Sequence, residues 1–492
     1  MYILEISPFV VIGVTLKGHN RLGSSFYQHS LYEAFLYLVL FVTCLLIVKS
    51  KLLNKAFGDK RAKQFKAILV VVITLSVATG GYLFFKDEEL NPEIVELLEE
   101  YSNNISREKN GSIYHMGMWS SLDSSPYEVG LWRIEQYENS LARTQLPSTS
   151  IEFGDYPEED WIEEIIPEDE KPKWFCDYDE IECLDLLYNQ SEQAIYLGDM
   201  FHKHIKRYDG VLNYSDFGLF QKPSIYAPMM RFGPGIDVLK VKLILSLNDF
   251  KLGKRNAVIN DLKVLLNHHK NVIRQTPYTV SKVISVVELQ LLYKAAAYLI
   301  SKTNDEDLPI WLPYIDSLVQ LDKEQLSFNR PLNHEFLSSY FSFQIAGLGD
   351  YKENLPTILK HLPKSFLYKP NRTANLMFNG ITVKRGKYEL DGDKIIVHEK
   401  PNVDDAIKFE LSNPIGSLLA ITVTPKYLEL DGALHDLEVL QRMTKHLYQQ
   451  RLDNSNEPFL SPYSGVKGRF KESFYCIDAH DKDDKPICLS AM

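Results

Sequence analysis

Apolar residues first gather in two unbroken runs near the N-terminus. Residues 34–48 (AFLYLVLFVTCLLIV) widen to about nineteen if 31–49 are taken, and 67–85 (AILVVVITLSVATGGYLFF) carry no charge. The hydrocarbon core of a bilayer takes ~20 apolar helical residues, and in lipid a helix satisfies every backbone group of such a segment. Two runs only 17 residues apart predict transmembrane helices over 31–49 and 67–85 in preference to buried core helices. The first sixteen residues, MYILEISPFVVIGVTL, are also apolar, but Glu5 and Pro8 interrupt them. They lack the basic n-region and small-residue cleavage site of a secretory signal. Residues 1–30 are expected as an outside segment.

Past the spans the pattern changes to helical periodicity. Residues 88–107 predict a short acidic helix with Pro92 in its first turn. Asn110-Gly111 signals a turn into a hydrophobic stretch. Residues 152–173 hold ten acids, two lysines and three prolines, predicting a surface linker or wrapping segment. Residues 86–175 are therefore a juxtamembrane region with an acidic linker. Over 176–350 the spacing predicts a helical domain: 191–208 with Ile195, Met200 and Ile205 among polar neighbours, a buried helix at 236–250, then 255–270 and 280–302. Further helices are expected from Pro309 to Leu321 and over 332–347. Residues 351–492 read as a C-terminal α+β part, with a hairpin in 381–399 turning at Asp391-Gly392 and an amphipathic helix over 434–452. The fold class is thus mostly α, an irregular helical array or bundle with a small β-hairpin-containing C-terminal part.

Charge sets the expected orientation. The loop 50–66 and its flanks hold Lys49, Lys51, Lys55, Lys60, Arg61, Lys63 and Lys66 against Asp59, so that loop is expected in the cytoplasm and the bulk of the chain outside. The net charge is −11, and the part beyond residue 86 is more acidic than that total. Such a surface repels nucleic acid. Cys44 lies in the first run; Cys176, Cys183, Cys476 and Cys488 lie beyond the spans. Four cysteines allow three connectivities, and close spacing favours Cys176–Cys183 and Cys476–Cys488, bonds that persist in an oxidising compartment.

Candidate chemistry is sparse. Neither GxxxxGK[ST] nor GxGxxG occurs, and a 17-residue loop is too short to be a nucleotide-using domain, so no nucleotide partner is expected. There is no HExxH, CxxC or GxSxG. His202 and His204 point apart on a helix. His268 and His269 are expected to end a helix, where a cation is favourable. His334-Glu335 and His435-Asp436 are pairs suited to acid–base work. Asp478, His480, Asp481, Asp483 and Asp484 crowd the tail loop between Cys476 and Cys488, where a cation site competes with a solvated loop. Trp311, Tyr314 and Phe341 are candidate interface anchors, with core packing the plainer role. No catalytic, cofactor-binding or metal residue is assigned, and no cofactor.

Several short segments resemble, in their order, a family of membrane-anchored envelope proteins of Gram-negative bacteria. They are Asn110-Gly111 leading to Gly117, Cys183-Leu184, Arg207-Tyr208 with Leu212, Asn371-Arg372-Thr373-Ala374-Asn375, Asn413-Pro414-Ile415-Gly416, and His435-Asp436-Leu437. The resemblance carries no activity or catalytic residue with it. It implies the inner membrane, which makes the outside compartment the periplasm. The expectation is a multi-pass inner-membrane protein whose periplasmic part binds or scaffolds other envelope proteins. The rival is a periplasmic cell-wall-directed hydrolase whose catalytic residues meet only in three dimensions.

Overall fold

The computed structural model describes residues 86–143, 161–162, 165–166, 183–192, 195–225, 227–228, 230–346, 368–383, 385–399, 413–423, 430–471, 474–480 and 486–490, with positions 64, 67, 68 and 71 besides. Apart from those four positions, the predicted spans 31–49 and 67–85, their connecting loop and segment 1–30 lie outside the described residues.

The first described helices are α1 (Pro92–Asn103), α2 (Gly111–Gly117), α3 (Pro126–Arg143), α4 (Cys183–Asn189), α5 (Ile195–Met200) and α6 (His202–Gly210). Then come α7 (Gly233–Lys251), α8 (Arg255–Gln275), α9 (Thr279–Lys302), α10 (Leu312–Ser317), α11 (Asn329–Ala346) and α12 (Pro370–Thr382). The C-terminal part holds β1 (Tyr388–Asp391), β2 (Lys394–Val397), α13 (Pro414–Val423), α14 (Leu430–Leu452), β3 (Arg469–Lys471), β4 (Phe474–Ile477) and β5 (Ile487–Ser490). The described chain is mostly helical and clusters into two compact units. One comprises 86–91, 368–380 and 413–423; the other comprises 92–346, 381–399 and 430–490.

In the first unit, Asp87 accepts the backbone N–H groups of Asn371 (3.0 Å) and Arg372 (3.1 Å). These are first-turn donors of α12, which the helix's own ladder does not use, and a carboxylate there is favourable. Asn375 holds the same strand of chain, accepting from Asn91 N–H at 2.9 Å and donating to the Glu89 carbonyl at 2.9 Å. Asn413, fully buried, accepts from Lys369 N–H and donates to Thr373 Oγ1.

The second unit starts with α1, which buries Ile94, Leu97 and Tyr101 at helical spacing. The Asn110-Gly111 turn is a helix cap: Asn110 Oδ1 accepts from Ser112 N–H at 2.8 Å. Helices α2 and α3 cross on two glycines. A Cβ on Gly117 would stand 2.1 Å from Pro126 O, and one on Gly130 would stand 2.1 Å from Ile113 O. Where it is described, the acidic 152–173 segment is held by its apolar residues. Trp161 lies between the Arg133 and Arg231 guanidiniums (4.8 and 4.6 Å), and Ile165 and Ile166 are buried.

Two expected helices are interrupted. The 191–208 stretch contains α5 and α6, parted at buried Phe201, and it is Leu197 that packs inward. Ile195 and Met200 are 46% and 60% exposed. The reason is that α5 approaches α7 through Gly198, beside Leu245. The 309–321 stretch is a 3-10 turn, Leu308–Trp311, followed by the short α10. Pro309 and Pro313 lie four apart, and a proline ring opposes the carbonyl four residues before it.

Helix α9 is the centre of this unit, packed by α7, α8, α11, α14 and β5. It is long and apolar enough to cross a membrane, yet 72% of its most apolar window is buried inside the protein. Two of its buried polar side chains have matched partners. Lys282 Nζ donates to the Glu324 and Ser327 carbonyls, and Tyr293 O–H donates to Gln441 Oε1 of α14 at 3.1 Å. The α14 groups are themselves engaged: Glu438 Oε2 accepts from Leu321 N–H at 2.9 Å and Oε1 from Arg442 at 2.7 Å. This pattern is that of a core helix, hydrophobic on all sides.

The expected hairpin is shorter than 381–399. Ile381 and Thr382 complete α12, and β1 pairs with β2 only from Tyr388↔Val397 to Asp391↔Lys394. The two loop residues are Gly392, with φ 58°, and Asp393. A second sheet, β3-β4-β5, closes the chain. Cys476 and Cys488 face each other across β4 and β5 and form a disulfide, Cα–Cα 4.1 Å. Cys183 is also disulfide-bonded; Cys176, its expected partner, lies outside the described residues.

Candidate functional site

Two polar clusters in the second unit contain the groups most capable of chemistry. The first begins at α6. Arg207 is buried and donates to the carbonyls of Ser120 (2.6 Å), Ser121 (2.7 Å) and Ser124 (2.7 Å), which fixes α6 against the loop after α2. Tyr208, next on the helix, is thereby placed opposite His269 of α8 and Glu288 of α9. Its hydroxyl lies 3.1 Å from His269 Nε2 and donates to Glu288 Oε1 at 3.2 Å. His269 Nδ1 lies 3.1 Å from Glu288 Oε2 and completes a three-membered ring.

Burial governs the protonation of this ring. It pushes the Glu288 carboxyl up to about 8 and His269 down to about 3, because a charged form without solvent is disfavoured. Glu288 is thus mainly a neutral acid at pH 7. Glu288 Oε2–H can donate to His269 Nδ1, His269 Nε2–H to the Tyr208 oxygen, and the Tyr208 hydroxyl to Glu288 Oε1. Three neutral groups, each donating and accepting once, are satisfied without a buried charge. His115 of α2, His268 and Trp119 line the same small cavity, with Gly235 of α7 on its wall. Burial lowers His115 to about 4 and His268 well below its ordinary value.

Sequence reasoning expected His268 and His269 at a helix C-terminus as favourable cations. The structure corrects this: α8 runs on to Gln275, and both rings are buried and neutral. Tyr208 and Glu288 were missed as members of a site. One signal existed, a carboxylate in the middle of an otherwise apolar helical run, which demands either a partner or a proton.

The second cluster forms around α14. Asp436 accepts from the Tyr463 hydroxyl at 2.7 Å and from His480 backbone N–H at 3.3 Å, and its Oδ2 lies 2.7 Å from His480 Nδ1. The His480 ring rests on α14 at Gly432, where a Cβ would stand 2.0 Å from Cδ2 and 2.6 Å from Nε2. Cδ2 is the ring atom nearest the helix there. His435, the neighbour of Asp436, turns to its own helix, Nδ1 2.7 Å from Asp431 O. The Tyr388 ring packs on both histidines.

Other sequence candidates fall elsewhere. His334 is buried between the rings of Tyr101 and Tyr278. Burial raises neighbouring Glu335. His202 Nδ1 lies 2.9 Å from Asp199 O, and His204 packs on Phe201. In the tail, Asp478 accepts from Ser464 at 3.3 Å, and Asp481, Asp483 and Asp484 lie outside the described residues. Trp311 and Tyr314 are fully buried and so unavailable as anchors, while Phe341 is half-buried. Among the described residues, no group of three or more His, Cys, Asp or Glu is arranged to hold a metal ion. Comparison with family models, with curated proteins and with solved structures gives no match for this chain.

Proposed function

We propose that this chain is a scaffolding or binding protein of a bacterial envelope, anchored in the inner membrane by 31–49 and 67–85 and presenting its helical part in the periplasm to other envelope proteins. The observation that carries this reading is how the polar candidates are engaged. Arg207, Lys282, Gln441 and Glu438 hold loops and helices together, and the Tyr208–His269–Glu288 ring is saturated by its own members. Groups arranged this way support a rigid surface. Side chains that stand outward on short helices, Leu186, Ile195, Tyr196 and Met200, are apolar and more than two-fifths exposed, as contact surfaces for protein partners are.

The test has two arms. A periplasm-dependent reporter fused after residue 492 is expected to be active and one fused at Gly58 inactive; activity at Gly58 overturns the orientation. Crosslinking and mild detergent extraction of the full chain should recover envelope proteins. Recovery should fall when Ile195, Tyr196 and Met200 are changed together to serine, and should persist in Asp436→Asn.

A second reading, a cell-wall-directed hydrolase, draws on the Asp436–His480 pair, since a carboxylate orienting an imidazole is the geometry of acid–base catalysis. Against it, His480 Nε2 is buried and its ring packs on Gly432. Loss of function in a folded, abundant Asp436→Asn protein would favour the hydrolase.

A further inference from the structure

The ring of Tyr208, His269 and Glu288 satisfies itself, but its surroundings do not. His115 Nδ1, His268 Nε2 and Trp119 Nε1 are buried and have no hydrogen-bond partner among the described residues. All three side chains line the cavity beside the ring, together with Tyr208, Glu288 and Gly235. A buried polar atom without a partner forfeits its whole hydration, and three around one cavity is a costly concentration.

Gly235 leaves the space open. A Cβ there would stand 3.7 Å from Trp119 Cζ2 and 3.9 Å from Glu288 Oε1 and Tyr208 Cε2, all ordinary contact distances. Its φ is not left-handed. Alanine would therefore fit and would suit the helix better, so neither sterics nor backbone geometry accounts for glycine. The cavity measures about 20 Å³, above the roughly 10–15 Å³ that one water requires and well short of an organic substrate.

We propose that this cavity is a binding site for a single buried water molecule, which joins Trp119, His115 and His268 to one another beside the Tyr208–His269–Glu288 ring. The chemistry of the wall selects water over an ion. The indole N–H only donates, so a cation gains nothing from it. The neutral Glu288 carboxyl and the absence of lysine or arginine from the lining among the described residues give an anion no countercharge. Water accepts from Trp119 Nε1–H and donates to His115 Nδ1 and His268 Nε2. Those three bonds are the usual number for a buried water, and they place the His115 proton on Nε2 and the His268 proton on Nδ1.

Gly235→Ala in the full detergent-extracted chain tests the site through the sign of its effect. A dry cavity would be filled and the helix improved, so the melting temperature would rise. A cavity holding a bonded water would lose it and strand three polar atoms, so the melting temperature should fall by about 2–4 °C or more. Gly235→Ser, whose hydroxyl can take over bonds from the water, should recover part of that loss. A rise with alanine, or equal losses with alanine and serine, overturns the proposal. If neither variant folds, a high-resolution crystal structure of the unaltered protein decides. An ordered water within hydrogen-bond distance of the three atoms supports the site, and its absence there overturns it.

Discussion

His480 is docked onto α14 by Asp436, with Nδ1 2.7 Å from Oδ2 and the ring lying on Gly432 one turn earlier. The two residues are 44 apart in the chain. Their contact ties the disulfide-closed tail to the helix that packs along the core helix α9.

Asp436→Asn should therefore loosen the tail. The carboxylate accepts from Tyr463 and twice from His480, and hydrogen bonds to a charged group contribute ~1.5–3 kcal/mol. A loss of that order is expected in chemical denaturation, with faster amide exchange over 474–480. An unchanged stability would show that the pair does not hold the tail.

The Cys476–Cys488 bridge closes a loop with sequence separation 12. The chain-entropy model gives at most ~3 kcal/mol for a loop of this size. Cys476→Ser, Cys488→Ser and the double change should destabilise equally, because each removes the same bond. A double change clearly worse than either single one would mean that the thiols act separately.

Glu288 should give the protein an unusual pH profile. Its folded pKa is raised by burial to about 8. Its stabilising effect is thus complete below its ordinary value of ~4.5 and is lost as pH rises through about 8. His115 and His269, lowered to about 4 and about 3, act in the opposite sense. Their contribution is present above ~6.5 and lost as pH falls through those values. Glu288→Gln should make the melting temperature rise more steeply with pH between about 4.5 and 8 than it does in the parent, because only the opposing histidine and lysine contributions remain. Retention of the parental slope in that window would refute a neutral ring.

Lys282 is lowered by burial to about 7, and its Nζ donates to the Glu324 and Ser327 carbonyls at 3.1 and 2.5 Å. Stability from this group is present above the ordinary lysine value and lost as pH falls through about 7. Lys282→Met, close in volume, should cost ~1–3 kcal/mol at alkaline pH by stranding the carbonyls. It should cost less at acid pH, where the parent must bury a charge. Denaturation at pH 6 and pH 9 checks the order.

At the crossing of α2 and α3, Gly130→Ala would drive a Cβ to 2.1 Å from Ile113 O. The helices must part, at ~1–3 kcal/mol. A melting temperature equal to that of the parent would show that the crossing yields freely.

Helix positions were readable wherever one face repeats at helical spacing over many turns. The 255–270 and 280–302 patterns correspond to α8 and α9, and 434–452 to α14. The Asp391-Gly392 signal marked the hairpin and missed only where α12 ends. Prediction slipped over 191–208, read as one helix, because a six-residue helix shows less than two turns of pattern and its inner face is chosen by the neighbour at Gly198 and Leu245.

The sequence by itself determined the long helices α8, α9 and α14, the closeness of Cys476 to Cys488, and which runs are apolar enough for a bilayer, since each depends on residues near in the chain. Only the tertiary structure decided that His268 and His269 are neutral core residues, that Asp436 meets His480, and that Glu288 keeps its proton beside Tyr208 and His269. Those outcomes depend on desolvation and on partners 44, 61 and 80 residues away. Local spacing has no access to either, because a side chain's solvent and its partners are set by which helices pack together.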